Sequence, residues 1–206
     1  MNGFSQLATY QYTGKVLQQT TNNDASGSPY LFDDWQPGKV FLVTGDEFDV
    51  RVKFDALRNK FYFTRNDTTF ELGSDVTEVK LKSPEGQEMD FRKIVTTDDK
   101  HPMAGFVQVL ASGKVPLYKE YLKRTEGENF TNGIFTSEKK IVAHNSLWTI
   151  LNNETVPVKL NSHSLEELTS DKKDQVLDYV KSKKLNPKNE RDFATALSYY
   201  NSLFKG

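Results

Sequence analysis

The sequence predicts an α+β fold, a mostly antiparallel β meander or partly open barrel with two C-terminal helices packed on it. Three observations predict it. Segments such as Phe48-Asp49-Val50-Arg51-Val52-Lys53-Phe54 alternate apolar and polar side chains with the period of two that a half-buried strand requires. Pairs such as Gly45-Asp46 and Asn66-Asp67 stand between these segments, where a hairpin needs residues that tolerate positive φ. Near residue 162 the period changes, and Phe193, Leu197, Tyr200 and Phe204 then recur along one stripe of a helix. The change divides the chain into an antiparallel β domain, 1–162, and a helical tail packed against it, 163–206.

Taken in order, residues 7–17 alternate loosely and are rich in Tyr and Thr, which predicts a first strand. A polar segment, Thr20 to Pro29, leads to Tyr30-Leu31-Phe32-Asp33-Asp34-Trp35 and the Pro37-Gly38 pair. Hairpins follow, with strands predicted over Val40 to Thr44 and Phe48 to Phe54, then over Phe61 to Arg65 and Thr69 to Leu72. Further strands are predicted at Val76 to Leu81, Met89 to Val95, Phe106 to Leu110, Val115 to Leu122, Lys140 to Ala143, Leu147 to Leu151 and Val156 to Leu160. Ser112-Gly113 and Asn152-Asn153 read as reverse turns. In the tail a short turn at Leu165 to Leu168, capped by Ser162 or Ser164, precedes a helix from Asp171 to Lys183 that turns Val176, Leu177 and Val180 inward. Asn186-Pro187 stops that helix, and Asn189 caps the next, with Glu190 and Asp192 in the first turn where the helix dipole favours anions. Helices this short need a docking surface, either each other or the sheet.

With 36% hydrophobic residues, 14 of them Phe, the 206-residue chain carries enough apolar surface to close a core without staples. The absence of Cys removes disulfides, thiol nucleophiles and Cys-ligated metals, and leaves the compartment open. A formal charge of −1 supplies no field to recruit nucleic acid. The tail from residue 171 is mildly basic, eight Lys or Arg against five Asp or Glu, as expected for the solvated face of amphipathic helices. No apolar run reaches the length of a membrane span. Gly3-Phe4-Ser5 before Gln6 has the small-x-small pattern of a signal-peptidase site, so Met1 is expected to stand on a trimmed export signal and the protein to be periplasmic or secreted, otherwise cytoplasmic.

The three histidines, His101, His144 and His163, show no metal-site spacing. Asp98, Asp99 and His101 form a weak candidate metal loop, with oxygen and nitrogen ligands close in sequence. No nucleophile elbow, phosphate loop or dinucleotide fingerprint is present, and no cofactor is expected. Adjacent carboxylates such as Asp33-Asp34 and Glu166-Glu167 point in different directions, so a hydrolytic pair would have to be assembled by the fold. The most suggestive feature is aromatic. Tyr30, Phe32 and Trp35 are the candidate binding residues, a platform for carbohydrate, peptide or a partner surface, although large aromatics bury area first, which favours rings that plug a barrel end or cover a sheet edge. Trp148, inside an apolar strand, reads as core. The tripeptides at Asn66, Asn129 and Asn153 match the glycan acceptor pattern.

The tail from Leu168 through Asp171 to Val176, then Tyr179-Val180-Lys181, Lys184-Leu185 and Tyr199 to Leu203, resembles the helical end of uncharacterised exported bacterial proteins. In those a β-rich segment opening with Gly-Ser-Pro-Tyr-Leu, here Gly27 to Leu31, precedes it. The resemblance implies an envelope or periplasmic location and a non-enzymatic role, and it leaves Thr96 to Thr136 uncovered. The expectation is a non-catalytic extracytoplasmic binding or scaffold module with a protein or polymer partner in the cell envelope. A carrier enclosing an apolar, lipid-like ligand is the alternative, and a hydrolase with a fold-assembled carboxylate site comes third.

Overall fold

The computed structural model describes residues 15–16, 25–98, 102–127, 130–131, 134–135 and 139–204. The strands are β1 (Lys15–Val16), β2 (Ala25–Ser26), β3 (Gln36–Leu42), β4 (Glu47–Asp55), β5 (Lys60–Arg65), β6 (Thr68–Glu71), β7 (Val76–Lys82) and β8 (Glu88–Val95). They continue with β9 (Ala104–Ala111), β10 (Leu117–Glu120), β11 (Lys123–Glu126), β12 (Phe130–Thr131), β13 (Ile134–Phe135), β14 (Lys139–Ala143), β15 (Ser146–Leu151) and β16 (Glu154–Pro157). Three helices follow, α1 (Ser162–Leu168), α2 (Lys173–Ser182) and α3 (Glu190–Ser202).

Eleven strands form one open sheet in the order β1-β6-β5-β4-β3-β7-β8-β9-β10-β15-β16, and every neighbouring pair in it is antiparallel. A smaller sheet, β11-β14-β2, contains a parallel pair, and β12 pairs with β13. Short hairpins dominate because the turn residues permit them. Asn66-Asp67 and Asn152-Asn153 both hold positive φ at both positions, the geometry whose twist matches that of the flanking strands.

The sheet coils tightly. Phe61 on β5 and Phe106 on β9 lie five strand spacings apart in sheet order, about 24 Å if the sheet were flat, yet their ring centroids are 5.1 Å apart. Phe54 and Phe91 join them at 4.7 to 5.4 Å, and Tyr121 sits 5.9 Å from Phe91. The inner faces of β3 to β9 thus form a core of interlocking rings with Val40, Val52, Val79 and Leu81 around them. Each such buried side chain stabilises the fold by about 1.5–3 kcal/mol. At Gly38 the Val52 side chain fills the space of a side chain, since a Cβ there would stand 2.7 Å from Val52 Cγ2.

The predicted strand Val115 to Leu122 is shorter, β10 at Leu117–Glu120, and a further strand, β11, follows it from Lys123. A bulge between Leu117 and Tyr118 turns β10, which leaves β9 after Glu120 and continues as β11 in the smaller sheet. The Tyr121 hydroxyl marks the departure by donating to buried Gln108 Oε1 at 2.7 Å. The predicted strand to Leu160 ends earlier, at Pro157, whose missing N–H blunts the edge strand β16. Residues 7–14 of the predicted first strand lie outside the described residues.

The helices cover the other half of the sheet. Phe193, Ala196, Leu197 and Tyr200 of α3, Val176 of α2 and Leu165 of α1 pack on Ala111, Val115, Leu117 and Val158. Tyr179 and Tyr199 stack face to face at 3.9 Å and hold α2 on α3. Asn189 caps α3 as the sequence predicts, accepting from the Asp192 backbone N–H at 3.1 Å. The cap of α1 is Asn161, one residue before the serines, because its Oδ1 lies 2.8 Å from the Ser164 N–H. A 3₁₀ turn, Ser170–Lys172, precedes α2, which therefore starts at Lys173. Phe204 falls beyond the end of α3 and is 40% exposed, with the Lys114 ammonium 4.1 Å from its ring.

Candidate binding groove

The segment carrying Tyr30, Phe32 and Trp35 continues the line of β3 along β4. Leu31 N–H donates to Phe54 O at 2.9 Å, Ala56 N–H donates to Pro29 O at 2.9 Å, and Tyr30 bridges to Asp55. The chain then bows out over Phe32 to Trp35 and rejoins β4 at Gln36 opposite Val52. Lys123 holds the segment down, with its Nζ donating to Ser28 O at 2.8 Å and Tyr30 O at 2.6 Å.

Of the three aromatic candidates, the fold brings two together. The Lys53 ammonium lies 4.5 Å from the Tyr30 ring centroid and 5.5 Å from that of Trp35, a cation shared by two aromatic faces. Phe32 turns the other way and packs against the ring core. All three are half-buried. Tyr30 and Trp35 therefore form the wall of a surface already organised around a cation, and Phe32 anchors the bow.

Beneath them, Asp55 is fully buried and its carboxylate accepts from the Leu57 and Arg58 N–H groups at 3.0 Å and from Arg58 Nη1 at 2.9 Å, which fixes the β4–β5 turn. Tyr62, 4% exposed, has its phenol pushed up to about 12, chiefly by burial and then by the Asp55 charge. Burial, followed by the same charge, raises the Tyr30 phenol as well.

Beside Trp35 a groove of about 750 Å³ runs across the outer face of β4, β3, β7 and β8. Its floor follows from strand alternation. With valines, phenylalanines and Leu81 directed to the ring core, the intervening positions stand outward in two rows. Asp49, Lys39, Lys80 and Asp90 form one row, through the pairs Asp49–Lys39, Lys39–Lys80 and Lys80–Asp90. In the next, Arg51 pairs with Pro37 and Lys82 with Glu88, and the Gly38–Leu81 register aligns the two pairs. Lys39 is held by Glu47 at 2.6 Å and Lys80 by Glu78 at 3.1 Å. Arg51 and Lys82 have no ion-pair partner among the described residues, and Arg51 Nη2 reaches back to Trp35 O at 3.4 Å.

At the β8 end, Arg92 ties Asp90 Oδ2 at 3.1 Å and Glu78 Oε2 at 3.2 Å. Burial raises the Asp90 carboxyl against the lowering effect of Arg92, and its Oδ1 is enclosed without a hydrogen-bond partner among the described residues. No protein-family model, curated protein or solved structure matches this chain.

The metal candidates are not assembled. Asp98 Oδ2 accepts from the Thr155 N–H at 2.9 Å and so caps β16, while Asp99 and His101 lie outside the described residues. Among the described residues no group of three or more His, Cys, Asp or Glu is placed to hold a metal ion, and no helix is long and apolar enough to cross a membrane. His144, just past the end of β14, meets Glu126 of β11 at 2.5 Å, and His163 pairs with Glu167 at 3.2 Å on α1. Trp148 is half-buried on the face opposite the helices, beside Tyr118, with Nε1 donating to Ser146 Oγ at 2.6 Å. The groove itself was not apparent from the sequence. The alternating charges on β3, β4, β7 and β8 were visible, but only the register places them in shared rows.

Proposed function

We propose that this protein is a non-catalytic binding or scaffold module of the extracytoplasmic space, which engages an envelope polymer or protein through the outer face of its coiled sheet. The observation that carries the proposal is the groove of about 750 Å³ on that face, floored by paired rows of charge, with Arg51 of its lining reaching the Trp35 carbonyl at 3.4 Å. Interfaces draw on such combinations of a half-buried aromatic with directed charges. The placement outside the cytoplasm rests on the resemblance of the tail, and fractionation of expressing cells tests it.

The packed rings of Phe54, Phe61, Phe91 and Phe106 weigh against a carrier, because they occupy the space an enclosed ligand would need. For a hydrolase, of the groove carboxylates Asp49, Glu88 and Asp90, Asp90 is committed to Arg92, and Asp49 stands three strand spacings from the other two, about 14 Å. The test is retention of envelope fractions by the immobilised protein, with Trp35→Ala and Arg51→Glu as variants. Loss of retention in both variants, with unchanged circular dichroism, supports the proposal. Undiminished retention in both removes the groove from it.

A further inference from the structure

We infer that the groove beside Trp35 takes an acidic polysaccharide, an inference that rests on the binding-module reading and names its ligand class. The first observation is charge. The central floor carries Lys39, Lys80 and Lys82 on β3 and β7, with Arg51 at the β4 side, and two of these four cations, Arg51 and Lys82, have no carboxylate partner among the described residues. Arg51 and Lys82 flank Pro37 from opposite sides, two strand spacings or about 10 Å apart, a span over which an acidic chain can present successive carboxylates or sulfates.

The second observation separates a sugar chain from a peptide. Strands β4, β3, β7 and β8 are all interior to the sheet, with neighbours on both sides. Their backbone N–H and C=O groups are engaged in ladders, so the groove offers no main-chain edge for an extended peptide to pair with. A peptide lying there would leave its own amides unmatched. A glycan brings hydroxyls as both donors and acceptors. The groove meets them with carboxylates, Asp49 and Glu88, that accept, and with ammonium groups that donate.

The third observation is the flat apolar surface between the charges. Pro37 lies between Arg51 and Lys82 in the groove floor, and Arg51 Nη2 reaches past the lining to the Trp35 backbone carbonyl. The pyrrolidine ring offers an apolar face to the C–H surface of sugars, while the flanking cations select the acidic ones.

The test is titration of the ¹⁵N-labelled protein with oligogalacturonate, with the neutral glucan laminarin, and with a mixed peptide library. The expected result is oligogalacturonate binding with shift changes at residues 37–39 and 80–82, weakened between 0.05 and 0.5 M salt because exposed charges are screened over a few ångströms there. Arg51→Ala and Lys82→Ala should each weaken binding about three- to fivefold, and the distant, exposed Lys188→Ala should leave it unchanged. Binding of laminarin at least as tight, or insensitivity to salt, overturns the acidic assignment and leaves the binding module standing. Peptides that shift the groove amides while neither glycan does overturn the polysaccharide. Failure of all three probes to shift the groove, with both variants folded, overturns this inference, and the proposed function is then judged by the envelope-fraction experiment.

Discussion

Asn59 closes the coiled sheet on Phe106. Its Nδ2 donates to Phe106 O at 3.0 Å and its Oδ1 accepts from the Phe106 N–H at 2.6 Å, so one side-chain amide supplies the two bonds of a missing strand. The bonds are available because β10 leaves β9 after Glu120, which exposes the first half of β9 along that edge. Gly105 permits the approach, since a Cβ there would stand 2.4 Å from Asn59 Oδ1. The same device recurs at the helices. Asn201 of α3 accepts from the Val115 N–H at 2.9 Å and donates to Val115 O at 2.8 Å, and a Cβ on Gly113 would stand 2.6 Å from the Asn201 side chain.

Asn59 holds φ at 53°, so Asn59→Gly removes the amide without adding backbone strain. It should destabilise the protein by about 2–4 kcal/mol, two hydrogen bonds and the cost of leaving the Phe106 backbone groups unpaired. Urea unfolding should show a lower midpoint with an unchanged slope. Asn201→Ala should cost a similar amount, with faster amide exchange concentrated in α3.

Thr149 is fully buried on the face shared with Leu147 and Leu151, beneath the helices, and its Oγ1 has no hydrogen-bond partner among the described residues. Thr149→Val replaces the hydroxyl with a methyl group of similar shape and should stabilise the fold by about 1 kcal/mol. Calorimetry should show a melting temperature higher by about 2–4 °C for a chain of this length. A lower melting temperature would mean that the hydroxyl is satisfied by water.

Tyr62 is held neutral up to about pH 12, against a reference of 10.0, so the folded state binds its proton more tightly than the unfolded state does. The stability this contributes is fully present below pH 10, falls as the unfolded chain ionises first, and is lost by the time pH passes 12. Tyr121, Tyr30, Tyr118 and Tyr200 are raised as well, so tyrosinate absorbance should show several late-titrating tyrosines, and Tyr62→Phe should remove one tyrosine's worth of the late amplitude. That variant should also lose less stability than the native protein between pH 10 and 12.

Much of the fold was legible in the sequence because its signals are local. The alternation through β4, the paired Asn and Asp residues at the turns, and the Asn189 cap each depend on neighbours a few positions away. What could not be read was how distant segments meet. Nothing marks Asn59, among several turn asparagines, as the partner of a strand 47 positions on. A lone glycine at 105, ahead of an apolar run, was the only hint of close approach. The aromatic segment was legible in part. Tyr30 and Trp35 converge because both flank Lys53, which stands on β4 and is fixed only by pairing, whereas Phe32 falls on the inward side of the bow.

The central claim is that the interior of the coil is filled and that binding belongs to its outer face. Mapping amide shifts on addition of size-fractionated envelope polymer tests this most directly. The account predicts changes confined to residues 35–39, 49–51, 80–82 and 88–90. Changes centred on Phe54, Phe61, Phe91 and Phe106, together with displacement of a bound apolar molecule, would contradict it.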